Sequence, residues 1–100
     1  MFIAMNRFKI KLGKEDQFEK IWKSRDSYLD NVDGFIEFNL LRSTSNEKYT
    51  LFASHSVWKS AEHFKNWTKS DAFRLAHKSA GSVKDIYLGH PEFEGFEIRI

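Results

Sequence analysis

The stretch that decides the fold is Phe35-Ile-Glu-Phe-Asn-Leu-Leu41, then Thr44-Ser-Asn-Glu47, then Tyr49-Thr-Leu-Phe-Ala-Ser-His-Ser-Val-Trp58. Both flanking runs are rich in β-formers, and the segment between them is polar and turn-prone, so the chain reads as a hairpin with strands over 35–43 and 48–58. Ile36, Phe38 and Leu40 are expected on one face. Upstream, Asp33-Gly34 is a turn signal. It closes a helix expected over about 14–31, whose first turn carries Glu15 and Asp16 and whose apolar stripe is Phe18, Ile21, Trp22, Tyr28 and Leu29. Before that helix, residues 2–12 alternate with period two. Phe2, Ala4, Asn6, Phe8, Ile10 and Leu12 share one face, and Ile3, Met5, Arg7, Lys9 and Lys11 share the other. Downstream, Ser60 suits the N-cap of a short helix over 61–68, and Ser70-Asp71 opens another over about 71–80. Residues 81–92 read as irregular, with a turn at Gly89-His-Pro91. Residues 93–100 read as a last strand, with Phe96, Ile98 and Ile100 on one face. The order is β-α-β-β-α-β, an α+β ferredoxin-like chain with an antiparallel sheet and helices on one side. The uncovered side carries Ile3, Met5 and Leu41, and a second copy of the chain is the simplest cover for it.

Composition bounds the function. One hundred residues make a single domain, 1–100. Lys and Arg number 16 against 14 Asp and Glu, too even a balance for a dedicated nucleic-acid module. The absence of cysteine excludes disulfides, a thiolate nucleophile and a Cys-based zinc site. No apolar run is long enough to span a membrane, and Met1–Arg7 does not read as a signal peptide, so the expected location is the cytoplasm. Sixteen aromatic residues are a heavy load for so small a core, which points to a lined pocket or an interface. His55, His63, His77 and His90 have no zincin spacing, and no phosphate loop or nucleophile elbow is present.

The informative residues are polar groups that interrupt apolar stripes. Asn6 sits among apolar residues on the inward strand face, so its amide must bond either to protein or to a ligand. Arg25 occupies a slot in the first helix where an apolar residue belongs. It either runs out along the helix edge or meets an anionic ligand. His77 lies on the stripe of Phe73, Ala76 and Ala80. It is either a satisfied core histidine or a ligand whose small neighbours leave room for a large flat group. Trp67, ten positions earlier, reads on its own as core. His55, His63 and His90 read as surface or loop residues.

Val57-Trp-Lys-Ser-Ala-Glu-His-Phe-Lys-Asn-Trp67, Ser70-Asp-Ala-Phe-Arg-Leu-Ala-His77-Lys, Asn6-Arg7 and Leu88-Gly-His-Pro91 together resemble the antibiotic biosynthesis monooxygenase superfamily, most of all its haem-degrading IsdG-type branch. That resemblance implies a dimeric α/β-barrel and an Asn, Trp, His triad, here Asn6, Trp67 and His77. It implies that His77 is the proximal ligand of the haem iron. Asn6 would donate a hydrogen bond on the distal side, and Trp67 would press the porphyrin out of plane. Haem is then both substrate and oxygen-activating cofactor, the ring is opened with release of iron, and electrons come from a separate reductase. The haem propionates would give Arg25 its anionic partner. The same superfamily holds cofactor-free monooxygenases of quinols and aromatics, and a haem carrier without turnover is a further alternative.

Overall fold

A computed structural model of the chain describes residues 1–24, 29, 31–76 and 85–100. Their elements are β1 (Phe2–Lys11), α1 (Glu15–Ser24), β2 (Phe35–Ser45), β3 (Tyr49–Trp58), α2 (Ala61–Thr68), α3 (Asp71–Ala76) and β4 (Glu92–Glu97). The strands form one antiparallel sheet in the order β2-β3-β1-β4. This is the ferredoxin-like arrangement that the element order implies. Among the described residues, no helix is long and apolar enough to cross a membrane.

Local chemistry sets the helix starts. Ser60 is extended, and its side chain accepts from the His63 N–H to open α2, as its residue type predicts. The Ser70 hydroxyl accepts from the Phe73 N–H at 3.2 Å and opens α3 in the same way. At α1 the Glu15 carboxylate accepts from the Gly13 N–H at 2.9 Å. It also accepts from the Thr50 hydroxyl at 2.7 Å, and Thr50 pairs with Ser45 at 2.6 Å. Chiefly because of the Thr50 hydrogen bond, the Glu15 carboxyl is held below its ordinary pKa.

Two apolar clusters cover the helix side of the sheet. One gathers Phe8, Ile10, Phe18, Phe52 and Ile86, with Ile21, Trp22, Leu40 and Tyr87 against it. The other gathers Ala4, Leu29 and Trp58, with Phe2, Val32, Phe35, Phe38, Phe64 and Trp67 against it. Trp58 is fully buried, and its indole N–H donates to the Ser56 hydroxyl at 2.9 Å.

Four expectations need correction. The first helix does not reach residue 31: Leu29 lies outside it, and the Val32 N–H to Leu29 carbonyl and Phe35 N–H to Val32 carbonyl bonds make turns instead. Leu29 is nonetheless buried, so its apolar role survives the change of conformation. Ile36 does not share a face with Phe38 and Leu40. The register slips between Phe35 and Glu37, so Phe35 takes the inward place beside Trp58 and Ile36 becomes the bulge residue, 39% exposed. The last strand ends at Glu97, because its partner β1 begins at Phe2, opposite Glu97. Beyond that point one further bond remains among the described residues, from the Ile98 N–H to the Met1 carbonyl. His63 is not a plain surface residue. Its Nδ1 lies 2.7 Å from the Ser60 hydroxyl and its ring lies on Gly34, where an added Cβ would sit 2.2 Å from its Cγ.

Ile3, Met5, Leu41, Leu51, Val57 and Phe96 lie on the side of the sheet away from the helices, as the strand registers require. Leu41 and Phe96 are exposed there. Among the described residues the aromatic load went mainly to the helix side, with Tyr49 and Phe96 on the open one.

Candidate functional site

Antiparallel pairing sets Asn6 of β1 between two residues of its own face, Ser54 on β3 and Phe93 on β4. Along β1 it lies between Ala4, in one apolar cluster, and Phe8, in the other. Along β3, Ser54 likewise lies between Phe52 and the Ser56–Trp58 pair. The Asn6–Ser54 row is therefore a polar seam between two hydrophobic clusters. Asn6 is half-buried and Ser54 is 9% exposed. Among the described residues, neither side chain makes a hydrogen bond. Of the two readings left open for Asn6, bonding to neighbouring backbone is not what the structure holds.

Above this seam the wall is aromatic. Phe93 is half exposed although it faces the helix side, and it stacks on Phe64 of α2 with ring centroids 5.5 Å apart and an interplanar angle of 4°. Phe64 neighbours Trp67 at 6.3 Å and Phe2 at 5.7 Å. Trp67 is held from two sides, by Trp58 at 5.4 Å and edge-on by Phe73 at 4.8 Å. Its carbonyl accepts from both the N–H and the hydroxyl of Ser70, which ties the end of α2 to the start of α3. Asn6 and Trp67 thus stand on one side of the sheet, linked through Phe93 and Phe64. Phe2 lies against Gly95, where a Cβ would come within 2.5 Å of its ring, so glycine lets β4 carry Phe93 under the aromatic wall.

His77 and Arg25 lie outside the described residues. His77 follows directly on α3, whose Phe73 touches Trp67, and Arg25 follows directly on α1, whose Trp22 stacks on Phe38 at 5.5 Å. His55 points away from this side. It is opposite Met5 and Asn39 on the open face, and its Nδ1 is buried without a hydrogen-bond partner. Among the described residues, no group of three His, Asp or Glu side chains gathers to hold a metal ion.

Sequence reasoning missed Ser54, Phe64 and Phe93 as members of this site. In the sequence Ser54 is one of two serines between Phe52 and Trp58, so alternation alone does not single it out.

A family model described as antibiotic biosynthesis monooxygenase matches residues 1–79. A protein of Staphylococcus epidermidis called heme oxygenase (staphylobilin-producing) is 28% identical over 85 residues, covering 85% of this chain and 81% of that one. The solved structure of the heme-degrader MhuD from Mycobacterium tuberculosis, with two hemes bound in its active site, superposes with a TM-score of 0.76 at 24% identity, covering 100% of this chain and 97% of that one. SnoaB from Streptomyces nogalater, a cofactor-independent oxygenase, superposes with a TM-score of 0.72 at 19% identity, covering 99% and 93%. The fold is common to both kinds of oxygenase, so the side chains at the site must choose between them.

Proposed function

The chain belongs to the antibiotic biosynthesis monooxygenase family, and from that premise we propose that it is a haem-degrading monooxygenase. It takes haem against the Asn6 side of the sheet and opens the porphyrin ring with dioxygen and external electrons, releasing iron. The observation that carries this reading is the Asn6 carboxamide, half-buried, without a hydrogen bond among the described residues, and set beside a half-exposed aromatic wall. A large flat ligand with an apolar face and a polar centre supplies what both features lack.

Haem, when bound, supplies both the ring to be cleaved and the iron that activates dioxygen. His77 holds that iron through a neutral imidazole nitrogen. Imidazole suits iron, and a chain without cysteine has no thiolate to offer instead. Arg25 pairs with the anionic propionates. The Asn6 amide would donate a hydrogen bond toward the bound haem. Trp67 would bear on its ring, and Trp58 and Phe73, packed against the indole, would hold it in place. Electrons come from a separate reductase, and the reaction is assigned to the cytoplasm.

The working unit is a homodimer joined through the open sheet face.

Haemin titration followed by reductant in air tests the function. The expected result is a Soret band at about one haem per chain, which bleaches with release of chelatable iron. His77→Ala should remove the bound spectrum, whereas Asn6→Ala should keep it and lose turnover. A purified chain that leaves haemin spectroscopically unchanged and oxidises quinols would overturn the proposal in favour of the cofactor-free chemistry. Stable binding without bleaching would make it a carrier.

A further inference from the structure

Asn6 is one half of a pair. Ser54 lies directly across from it on the same face of the sheet, a residue only 9% exposed whose hydroxyl, among the described residues, is unbonded. A hydroxyl so largely covered by apolar neighbours and unpaired within the fold is placed to bond a group that comes to rest on the sheet. The neighbouring serine is no model for it. Ser56 accepts from the Trp58 indole and lies 3.4 Å from the Ala4 carbonyl, so its bonding is met within the core. The frame around the Asn6–Ser54 pair is apolar: Ala4 and Phe8 along β1, Phe52 along β3, Phe93 on β4 and Leu40 on β2.

Spacing gives the pair its use. Residues directly opposite on antiparallel strands hold their Cβ atoms roughly 4.5–5.5 Å apart. A single small atom at a hydrogen-bond distance of about 2.8 Å from each side bridges such a gap. We propose that Asn6 and Ser54 form a two-donor site on the sheet for one small oxygen or nitrogen ligand of the haem iron, such as water, dioxygen or azide, with the Ser54 hydroxyl as the second donor. This rests on the haem reading above and deepens it. The amide sets where the ligand lies, and the hydroxyl fixes its direction, because two donors define an orientation that one cannot.

Azide binding to the ferric haem complex, followed by its absorbance change, tests the second donor without recourse to turnover. Ser54→Ala should bind haemin as the wild type does and lose azide affinity by about tenfold or more, the scale of one hydrogen bond to a charged ligand. Ser54→Thr keeps the hydroxyl and should restore most of that affinity. In the reduced carbon monoxide complex, Ser54→Ala should also raise the C–O stretching frequency. A normal Soret change with azide affinity and C–O frequency unaltered by Ser54→Ala would overturn this inference alone. No Soret change in the wild type would overturn the haem reading and this inference with it.

Discussion

Gly34→Ala is the sharpest test of how the aromatic wall is held in place. Gly34 sits at φ +82°, and an alanine there costs about 1–2 kcal/mol in backbone strain alone. Its Cβ would also fall 2.2 Å from Cγ of His63, a ring carbon close to the backbone of α2, so the ring or the helix must move. Movement breaks the 2.7 Å contact between His63 Nδ1 and the Ser60 hydroxyl, worth about 0.5–1.5 kcal/mol. The expected loss is therefore about 2–3 kcal/mol, or a fall in Tm of roughly 10–20 °C for a domain of this size. Urea unfolding with and without His63→Ala measures it. His63→Ala removes the ring part of the clash but leaves its own Cβ 2.5 Å from the added one, and it leaves the strain, so the double variant should recover less than about 1 kcal/mol relative to the sum of the two single effects. Because α2 also carries Phe64 and Trp67, haemin affinity should fall in Gly34→Ala and partly recover in the double variant. A Gly34→Ala protein within about 0.5 kcal/mol of wild type would refute the reasoning.

Thr50→Val removes the hydroxyl that keeps the Glu15 carboxyl below its ordinary pKa. A depressed carboxylate stabilises the fold above its unfolded pKa, and that contribution is lost as pH falls through the folded value. The stability gap between wild type and variant should thus be widest near neutrality and narrow on acidification through the carboxylate range, as followed by urea midpoints across pH. Arg25→Ala should weaken haemin binding by about 1–3 kcal/mol, the scale of a charged hydrogen bond, read by Soret titration. Leu41→Glu with Phe96→Glu places charge on two exposed open-face positions, and should yield monomers by light scattering with little change in the far-ultraviolet spectrum.

What the sequence disclosed was what short-range chemistry controls. The Ser60 cap and the alternation of Phe2 to Ile10 each depend on residues close in the chain and formed where their types place them; the hairpin also formed, but with its turn at 46–48 rather than over Thr44–Glu47, because β2 runs on to Ser45. Most of the misreadings were decided at a distance. Ile36 was displaced by the register that β3 imposes on β2, and the last strand was cut short by the start of β1. His63 packs its ring on Gly34, far along the chain, although its hydrogen-bond partner Ser60 is local. At the site, Asn6 and Trp67 were legible as residue types. Ser54 was not, because a serine in a strand reads as outward until the phase of Phe52 and Trp58 is fixed in space.

The composition of β4 bears on how copies of the chain meet. This strand closes one edge of the sheet, and three of its six residues are glutamates. Glu94 pairs with Arg7, and Glu92 lies 3.9 Å from Lys9. Another strand laid along that rim would have to strip water from those ions before gaining a single ladder bond. Fibrous stacking is thereby disfavoured, and replacing Glu92, Glu94 and Glu97 by glutamine removes that protection. Turbidity or thioflavin binding should then rise in the triple variant before it does in the wild type.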